Sequence, residues 1–270
     1  RGAPVGTRPQ PWVVEVDAGF GFAHPAFVRG LPEAIAAARA CGTASLAICH
    51  AHTCTSLGYF TAQIAQAGLI GLGLTNASPI VAPPGGKSRV IGTNPIAFSV
   101  PDGQGGLALQ FDQSTTTVAL GKITMAKAAG EKIPLGWALD ADGHPTEDPN
   151  AALKGGTMAP AGDYKGVGLA LIVEVLAAAL SGATLGKDAS PFSGPVGGPP
   201  ATGQFFMAID TVTASGGAFD TRIADLMASV AEPDGARLPG QNRSTKARSA
   251  AVSGVDVAEA TLNRIEGLMA

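Results

Sequence analysis

Cysteine is sparse in this chain. The three present, Cys41, Cys49 and Cys54, are odd in number and form no C-x-x-C pair. That argues against a disulfide framework and suggests a reduced, cytoplasmic setting. Charge is also scarce, at 14% of residues with a net value of −3. No basic surface is expected for nucleic acid or for an anionic membrane. The longest apolar segment, Gly166 to Leu180, is interrupted by Glu174 and is too short to span a bilayer, so no membrane partner is expected. No secretory signal opens the chain, because Arg1-Gly2-Ala3-Pro4 leads into a Pro-rich stretch, and the missing initiator Met suggests residues lost upstream. H-E-x-x-H, zinc-ligand spacing and the G-x-S-x-G nucleophile elbow are all missing. Aromatics make up only 5%, which points to close packing of helices on sheets through alanine and glycine.

What is present is a large apolar fraction, 46% of 270 residues, enough for one large α/β domain or two small ones. No internal repeat and no linker divides the chain. Its organising stretch is Gly92-Thr93-Asn94-Pro95-Ile96-Ala97-Phe98, a polar turn running into a buried strand. Gly92 and Asn94 tolerate positive φ and Pro95 fixes its own, so Thr93 is expected to stand rigidly at a strand mouth. On local chemistry alone the same residues also make an ordinary turn.

In chain order, residues 1–11 read as a linker or arm, and Trp12 to Val16 as a strand. Leu31 to Ala40 reads as a helix with Pro32 in its first turn and Gly42 past its end. Ser45 to Cys49 is a short strand delivering His50-Ala51-His52-Thr53-Cys54-Thr55-Ser56 to a turn, and Leu57 to Ala67 is an amphipathic helix. Strands are expected at Leu69 to Thr75, Leu107 to Asp112 and Gln204 to Asp210. Helices are expected at Lys122 to Ala129, Val167 to Leu180, Phe219 to Val230 and Val257 to Leu268, with Asp140 to Gly143 a hairpin turn and Gly186 to Thr202 a long loop.

Two nucleotide motifs are only apparent. In Asp17-Ala18-Gly19-Phe20-Gly21-Phe22-Ala23-His24 the third glycine position is His24, and Pro25 follows where the helix should open. Gly85-Gly86-Lys87-Ser88 lacks the first Walker glycine, where Val81 stands, and is followed by a strand. His50 and His52, two apart on a strand, would share a face, but no third metal ligand has suitable spacing. The remaining chemistry is a set of polar strand-end turns of the kind that line a cofactor cleft: His52 to Ser56, Thr93, the hydroxyls of Ser114 to Thr116, Lys165 at a helix start, and the two guanidiniums around Arg237-Leu238-Pro239-Gly240-Gln241-Asn242-Arg243. A lysine at a helix N-terminus and a guanidinium pair suit phosphate or carboxylate, although a solvated lysine and a surface charge pair are the plainer readings.

Gly92 to Phe98, Phe111-Asp112-Gln113-Ser114-Thr115, Trp137 to Thr146, Lys165-Gly166 and Arg237 to Gly240 resemble, in order and spacing, the malate/L-lactate dehydrogenase type 2 family. The similarity runs over essentially the whole chain and looks nearest to the Δ1-piperideine-2-carboxylate/Δ1-pyrroline-2-carboxylate reductase branch. It implies a non-Rossmann α/β mixed sheet with packed helices, one oxidoreductase unit over residues 1–270, a homodimer, and NADP or NAD held by loops. Carried over position by position, the cofactor segments are Thr53, Cys54, Thr55, Ser56 and Leu57; Thr93; Gln113, Ser114 and Thr115; Tyr164 and Lys165; and Arg237, Leu238, Pro239, Gly240, Gln241, Asn242 and Arg243.

Three departures accompany the resemblance. The family's proton-donating histidine belongs to a Ser-His-Gly motif in an N-terminal helical segment that precedes the stretch matched here. His52 stands one place before a histidine of many relatives, where this chain has Thr53. Lys122 occupies the position of an aspartate in imine-reducing relatives. His52 and Lys122 are therefore the catalytic candidates within these residues. The implied activity is reduction of a small cyclic 2-imino acid or a 2-oxo acid; the alternatives are a malate- or lactate-type 2-hydroxy-acid dehydrogenase and a non-catalytic cofactor-binding or dimerisation remnant.

Overall fold

The computed structural model describes residues 2–192 and 197–269. Its framework is a seven-stranded sheet made of β1 (Val5–Gln10), β2 (Val13–Asp17), β3 (Thr43–Ala51), β9 (Thr202–Asp210), β4 (Leu69–Thr75), β5 (Ile96–Pro101) and β6 (Leu107–Gln113), in that spatial order. Only β2 and β3 are parallel; every other neighbour pair is antiparallel. The sheet is thus mixed and far from the parallel Rossmann order. β9 enters the centre late in the sequence, between β3 and β4, and pairs with β4 along its whole length from Leu69↔Asp210 to Thr75↔Gln204.

Two helices cover one face. α1 (Ala23–Cys41) and α2 (Leu57–Gln66) bury an alanine-rich stripe and a cluster of Phe27, Phe60 and Phe206, whose ring centroids lie 4.9 to 5.6 Å apart. Small residues permit the approach: a Cβ on Gly30 would fall 2.5 Å from Leu46 Cδ1. α1 is longer than the sequence suggests. It opens at Ala23, carries Pro25 in its first turn, and runs through Pro32. Burial of Ala26, Phe27, Ala34, Ala37 and Ala38 outweighs the roughly 3 kcal/mol that an interior proline costs.

The opposite face is packed by α5 (Tyr164–Glu174), whose Val173 meets Leu74 and Phe205. The expected single helix to Leu180 instead passes into a π-helical turn at Val175–Ala179. A separate cluster around Ile123, Ile133, Met158 and Val167 unites α3 (Leu120–Ala129), α4 (Pro149–Leu153) and the small β7/β8 pair (Ala138–Leu139 with Thr157–Met158). Arg89 ties this lobe together, donating to the carbonyls of Ala152, Leu153 and Gly156, and burial lowers its pKa. The turn at Asp140 forms as expected, with Asp140 Oδ1 accepting from the N–H groups of Asp142 and His144.

A further sequence expectation gives way, and one helix was not foreseen. The N-terminal arm is an edge strand: Val5 to Gln10 pairs with β2, with Pro9 tolerated at an edge. Helix α8 (Gln241–Ser253) has no apolar stripe to reveal it, since it is polar and exposed almost throughout. Helices α7 (Phe219–Ala231) and α9 (Glu259–Met269) fall close to their expected limits. The Gly186 to Thr202 loop contains residues 193–196, which lie outside the described residues; a 3-10 turn occupies Gly186–Asp188. Among the described residues no helix is long and apolar enough to cross a membrane.

Asp210 caps the five-residue helix α6 (Thr211–Ser215), accepting from Thr213 N at 2.8 Å. Contacts with Thr213, led by its hydroxyl and backbone N–H, hold the Asp210 carboxyl below its usual range. A depressed folded-state pKa stabilises above the unfolded pKa, and that stability is lost as pH falls through the folded value. Asp210→Ala is accordingly expected to cost roughly 1 kcal/mol at neutral pH by urea denaturation, with the gap closing in acid below the carboxylate range.

Candidate functional site

The turn at Thr93 is held from below by a buried polar knot. Asn94 is fully buried at φ 35°. Its Oδ1 accepts from Ala77 N, and its Nδ2 donates to Ala170 O and Glu174 Oε2. Glu174 Oε1 in turn accepts from Asn76 Nδ2 and Gly186 N. Gly92 serves here by size rather than by positive φ, since a Cβ would lie 2.3 Å from Ala77 O. The knot joins the Thr93 turn, the end of α5 and the Gly186 loop.

Above it, Thr115 donates through both N–H and Oγ1 to Thr93 O at 3.0 Å, and Ala161 N donates to Thr115 O. Gly166 allows the first turn of α5 to sit against this strand end, because a Cβ would come 2.8 Å from Thr115 O. Thr93, Thr115 and the Tyr164-Lys165 helix start are thereby brought to one edge, with Tyr164 and Lys165 exposed. The hydroxyl row serves the fold more than a ligand: Ser114 Oγ bonds Thr116 Oγ1, and Thr115 is buried. Gln113 is exposed beside it.

A second focus lies where α2 begins. Asp112 Oδ2 accepts from Gly58 N at 2.8 Å and Ser56 Oγ at 3.2 Å, and Arg243 Nη1 approaches it to 4.0 Å. Arg237, Leu238, Pro239, Gly240, Asn242 and Arg243 face Gln110, Phe111 and Asp112 across a cleft. Gly240 is required twice, by its φ of 85° and by its approach to β6, where a Cβ would be 2.4 Å from Gln110 O. Gln241 opens α8 at this edge and is tied to the turn by its N–H donating to Leu238 O, so the positive end of the helix dipole stands beside two guanidiniums. A Pro-Gly turn seated on backbone, two arginines and a helix N-terminus fit an anionic cofactor such as a dinucleotide diphosphate. Asp112 was not among the residues singled out from the sequence, although Phe111-Asp112-Gln113 was; nothing local told that its carboxyl would occupy the start of α2.

The strand-to-helix turn splits in character. Thr53 Oγ1 accepts from Thr55 N, Thr55 sits at φ 58°, and Thr55 and Ser56 are exposed. Cys54 and Leu57 instead point into the core, and burial pushes the Cys54 thiol up to about 12. His52 lies edge-on to Phe22 at 5.6 Å and near Phe192 at 6.4 Å, and its buried Nδ1 has no partner among the described residues. His50 does not share its face: a φ of 51° turns it onto Phe20 and Asp17. Lys122 lies in the smaller lobe, its Nζ 5.9 Å over the Trp137 ring. No described contact joins it to His52.

The fold is a mixed α/β sheet with no glycine-rich βα turn, and its cleft between β6 and the start of α8 is lined by two arginines. The Malate/L-lactate dehydrogenase family model matches residues 1–266, and the chain belongs to that family of NAD(P)-dependent oxidoreductases. It is 44% identical over 231 residues to a (2R)-3-sulfolactate dehydrogenase (NADP(+)) of Chromohalobacter salexigens, covering 86% of this chain and 68% of that one. It is 38% identical over 271 residues to a Δ1-pyrroline-2-carboxylate reductase of Ancylobacter novellus, covering 98% and 78%. The crystal structure of Δ1-piperideine-2-carboxylate reductase from Pseudomonas syringae pvar. tomato superposes with a TM-score of 0.91 at 34% identity, covering 98% of this chain and 80% of that one. The expected non-Rossmann fold of this family is what the sheet order shows.

Proposed function

We propose that the chain reduces the C=N bond of a small cyclic 2-imino acid, of the Δ1-pyrroline-2-carboxylate or Δ1-piperideine-2-carboxylate kind, or the C=O bond of a 2-oxo acid, using NADP or NAD in reduced form. The observation that carries this reading is the two-arginine cleft at the start of α8, in a chain similar over nearly its whole length to named imine reductases. Arg237, Arg243 and the N-terminus of α8 would hold the cofactor phosphates, and the Thr53 to Ser56 turn, Thr93, Gln113 to Thr115 and the Tyr164-Lys165 helix start would line its remaining length. The cofactor, when bound, supplies hydride. The protein's part is to orient it, exclude water and provide a proton for the substrate nitrogen or oxygen. Within these residues the group with an unused buried nitrogen is His52, and it is the catalytic candidate we favour; Lys122 is the lesser one, given its place over Trp137.

We further read residues 1–270 as one unit, in a cytoplasmic setting, that pairs as a homodimer. Leu169, Leu171, Ile172, Val175 and Leu180 leave α5 and its π turn with an exposed apolar face that favours such pairing. Light scattering is expected to give twice the 26.8 kDa chain mass, and Ile172→Glu to give the single mass.

Oxidation of NADPH, followed at the nicotinamide absorbance, tests the function against Δ1-pyrroline-2-carboxylate, Δ1-piperideine-2-carboxylate, pyruvate and oxaloacetate. Turnover of at least one of the four is expected; turnover confined to the imines would narrow the reading to imine reduction, turnover confined to the oxo acids would narrow it to the malate- or lactate-type reaction, and cofactor binding without any turnover would overturn it in favour of the non-catalytic remnant.

A further inference from the structure

The groove on the far side of β2 carries ligand chemistry that a hydride-transfer site does not use. Its floor is formed by residues sharing one face of three adjacent strands: Val5 and Thr7 of β1, Glu15 and Asp17 of β2, and Ala47 and Cys49 of β3. The pairings Val5↔Asp17, Thr7↔Glu15, Glu15↔Ala47 and Asp17↔Cys49 set these residues side by side. Alternation along β3 would send His50 to the other face. Its left-handed backbone, φ 51°, brings the imidazole back to Asp17, where Phe20 stacks on it with centroids 5.2 Å apart.

The result is a compact triad of unlike donors. His50 Nδ1 lies 3.0 Å from Asp17 Oδ2 and 3.6 Å from Cys49 Sγ, and one ligand atom from each of the three residues lies within 4.8 Å of the others. A tetrahedral zinc centre, with bonds of about 2.0 Å to nitrogen and oxygen and about 2.3 Å to sulfur, places nitrogen and sulfur about 3.5 Å apart and nitrogen and oxygen about 3.3 Å apart. The two spacings measured from His50 Nδ1 are within a few tenths of an ångström of those edges. Asp17 Oδ1 is fixed by Gly19 N at 2.8 Å, which leaves Oδ2 to face the other two ligands. The groove, about 540 Å³, contains two acidic side chains and no lysine or arginine among its lining residues, so it suits a cation.

We propose that Asp17, Cys49 and His50 bind a thiophilic divalent cation of the zinc or cobalt(II) class, with the fourth position open to the groove for water. Binding replaces the Cys49 thiol proton, which leaves to solvent, with the metal; the Nδ1 proton of His50 that bonds Asp17 shifts to Nε2, so the sulfur coordinates as thiolate and His50 as neutral imidazole through Nδ1. Without a cation the thiol is reluctant to ionise, because burial and the Asp17 carboxylate push it up to about 11. A metal reverses that bias by supplying the opposite charge. The site stands on its own residues, and its failure would leave the oxidoreductase reading untouched.

Cobalt(II) titration of the metal-stripped protein tests it. One equivalent per chain is expected, with a thiolate-to-cobalt charge-transfer band in the near ultraviolet and visible bands of tetrahedral intensity. Cys49→Ser should abolish the charge-transfer band and weaken binding at least 10-fold, and Asp17→Asn should weaken it roughly 10-fold by calorimetry with zinc. Cys41→Ser, which removes an exposed thiol, should change neither. No saturable binding, or a band that survives Cys49→Ser or is lost with Cys41→Ser, would overturn the proposal; circular dichroism of each variant separates ligand loss from misfolding.

Discussion

Asn94→Ala is expected to lower the free energy of unfolding by about 4 kcal/mol, the largest single loss outside the aromatic core. The substitution removes one acceptor and two donor contacts at a position with no solvent access, and leaves Ala77 N, Ala170 O and Glu174 Oε2 to find other partners. It also places a Cβ residue without a polar side chain at φ 35°, where alanine costs about 1–2 kcal/mol. Asn94→Gly separates the two parts, since glycine relieves the backbone cost while losing the same hydrogen bonds. Urea denaturation should therefore rank Asn94, Gly and Ala in falling order. Because Thr93 is the next residue, NADPH affinity of whatever Asn94→Gly protein folds should fall by about 10-fold, a loss that a remote packing defect would not produce.

Gly203→Ala comes second and acts through space. The glycine stands in the central strand β9 against the π turn, and an added Cβ would meet Ala177 O at 1.8 Å, Ser181 Oγ at 2.6 Å and Ala183 Cβ at 2.7 Å. The Gly203 backbone cannot yield freely: its N–H donates to Asn76 Oδ1, and its carbonyl accepts from Asn76 N and Thr75 Oγ1. A loss of about 3 kcal/mol or more is expected, read as a lower denaturation midpoint or as failure to accumulate folded protein. Gly121→Ala is the matched control. It lies in the first turn of α3 with nothing near its Cβ position, and should leave stability unchanged or raise it by up to about 0.5 kcal/mol.

Both residues illustrate what the sequence could and could not convey. Strands such as Leu69–Thr75 and Leu107–Gln113 are legible because their apolar runs end in turn residues, and α2 is legible from its stripe of Leu57, Phe60 and Ile64. The start of α1 is hidden by Pro25 and Pro32, whose local cost is outweighed by tertiary burial that no window of sequence contains. The polar helix α8 has no periodicity to read, yet it brings Arg243 towards Asp112. Thr93, Lys165 and the arginine turn were visible as polar turns at strand and helix ends, and their order carried the family resemblance. Their supports were invisible: Asp112, Glu174 and Asn76 act across 54 to 108 positions of sequence. His50 was misplaced for a different reason, since strand alternation assumes φ in the β region, and a left-handed residue breaks the rule at the one place where the triad forms.

The central claim is that the cleft between β6 and the start of α8 holds a nicotinamide cofactor. Titration of the chain with NADPH and NADH, followed by nicotinamide fluorescence, tests it most directly, together with Arg237→Ala/Arg243→Ala. Saturable binding with enhanced emission is expected, weakened by about 100-fold in the double variant while its free energy of unfolding stays within about 0.5 kcal/mol of the parent, because both arginines are exposed. Unchanged affinity in the double variant would place the cofactor elsewhere, and failure of the parent chain to bind either nucleotide would contradict the account.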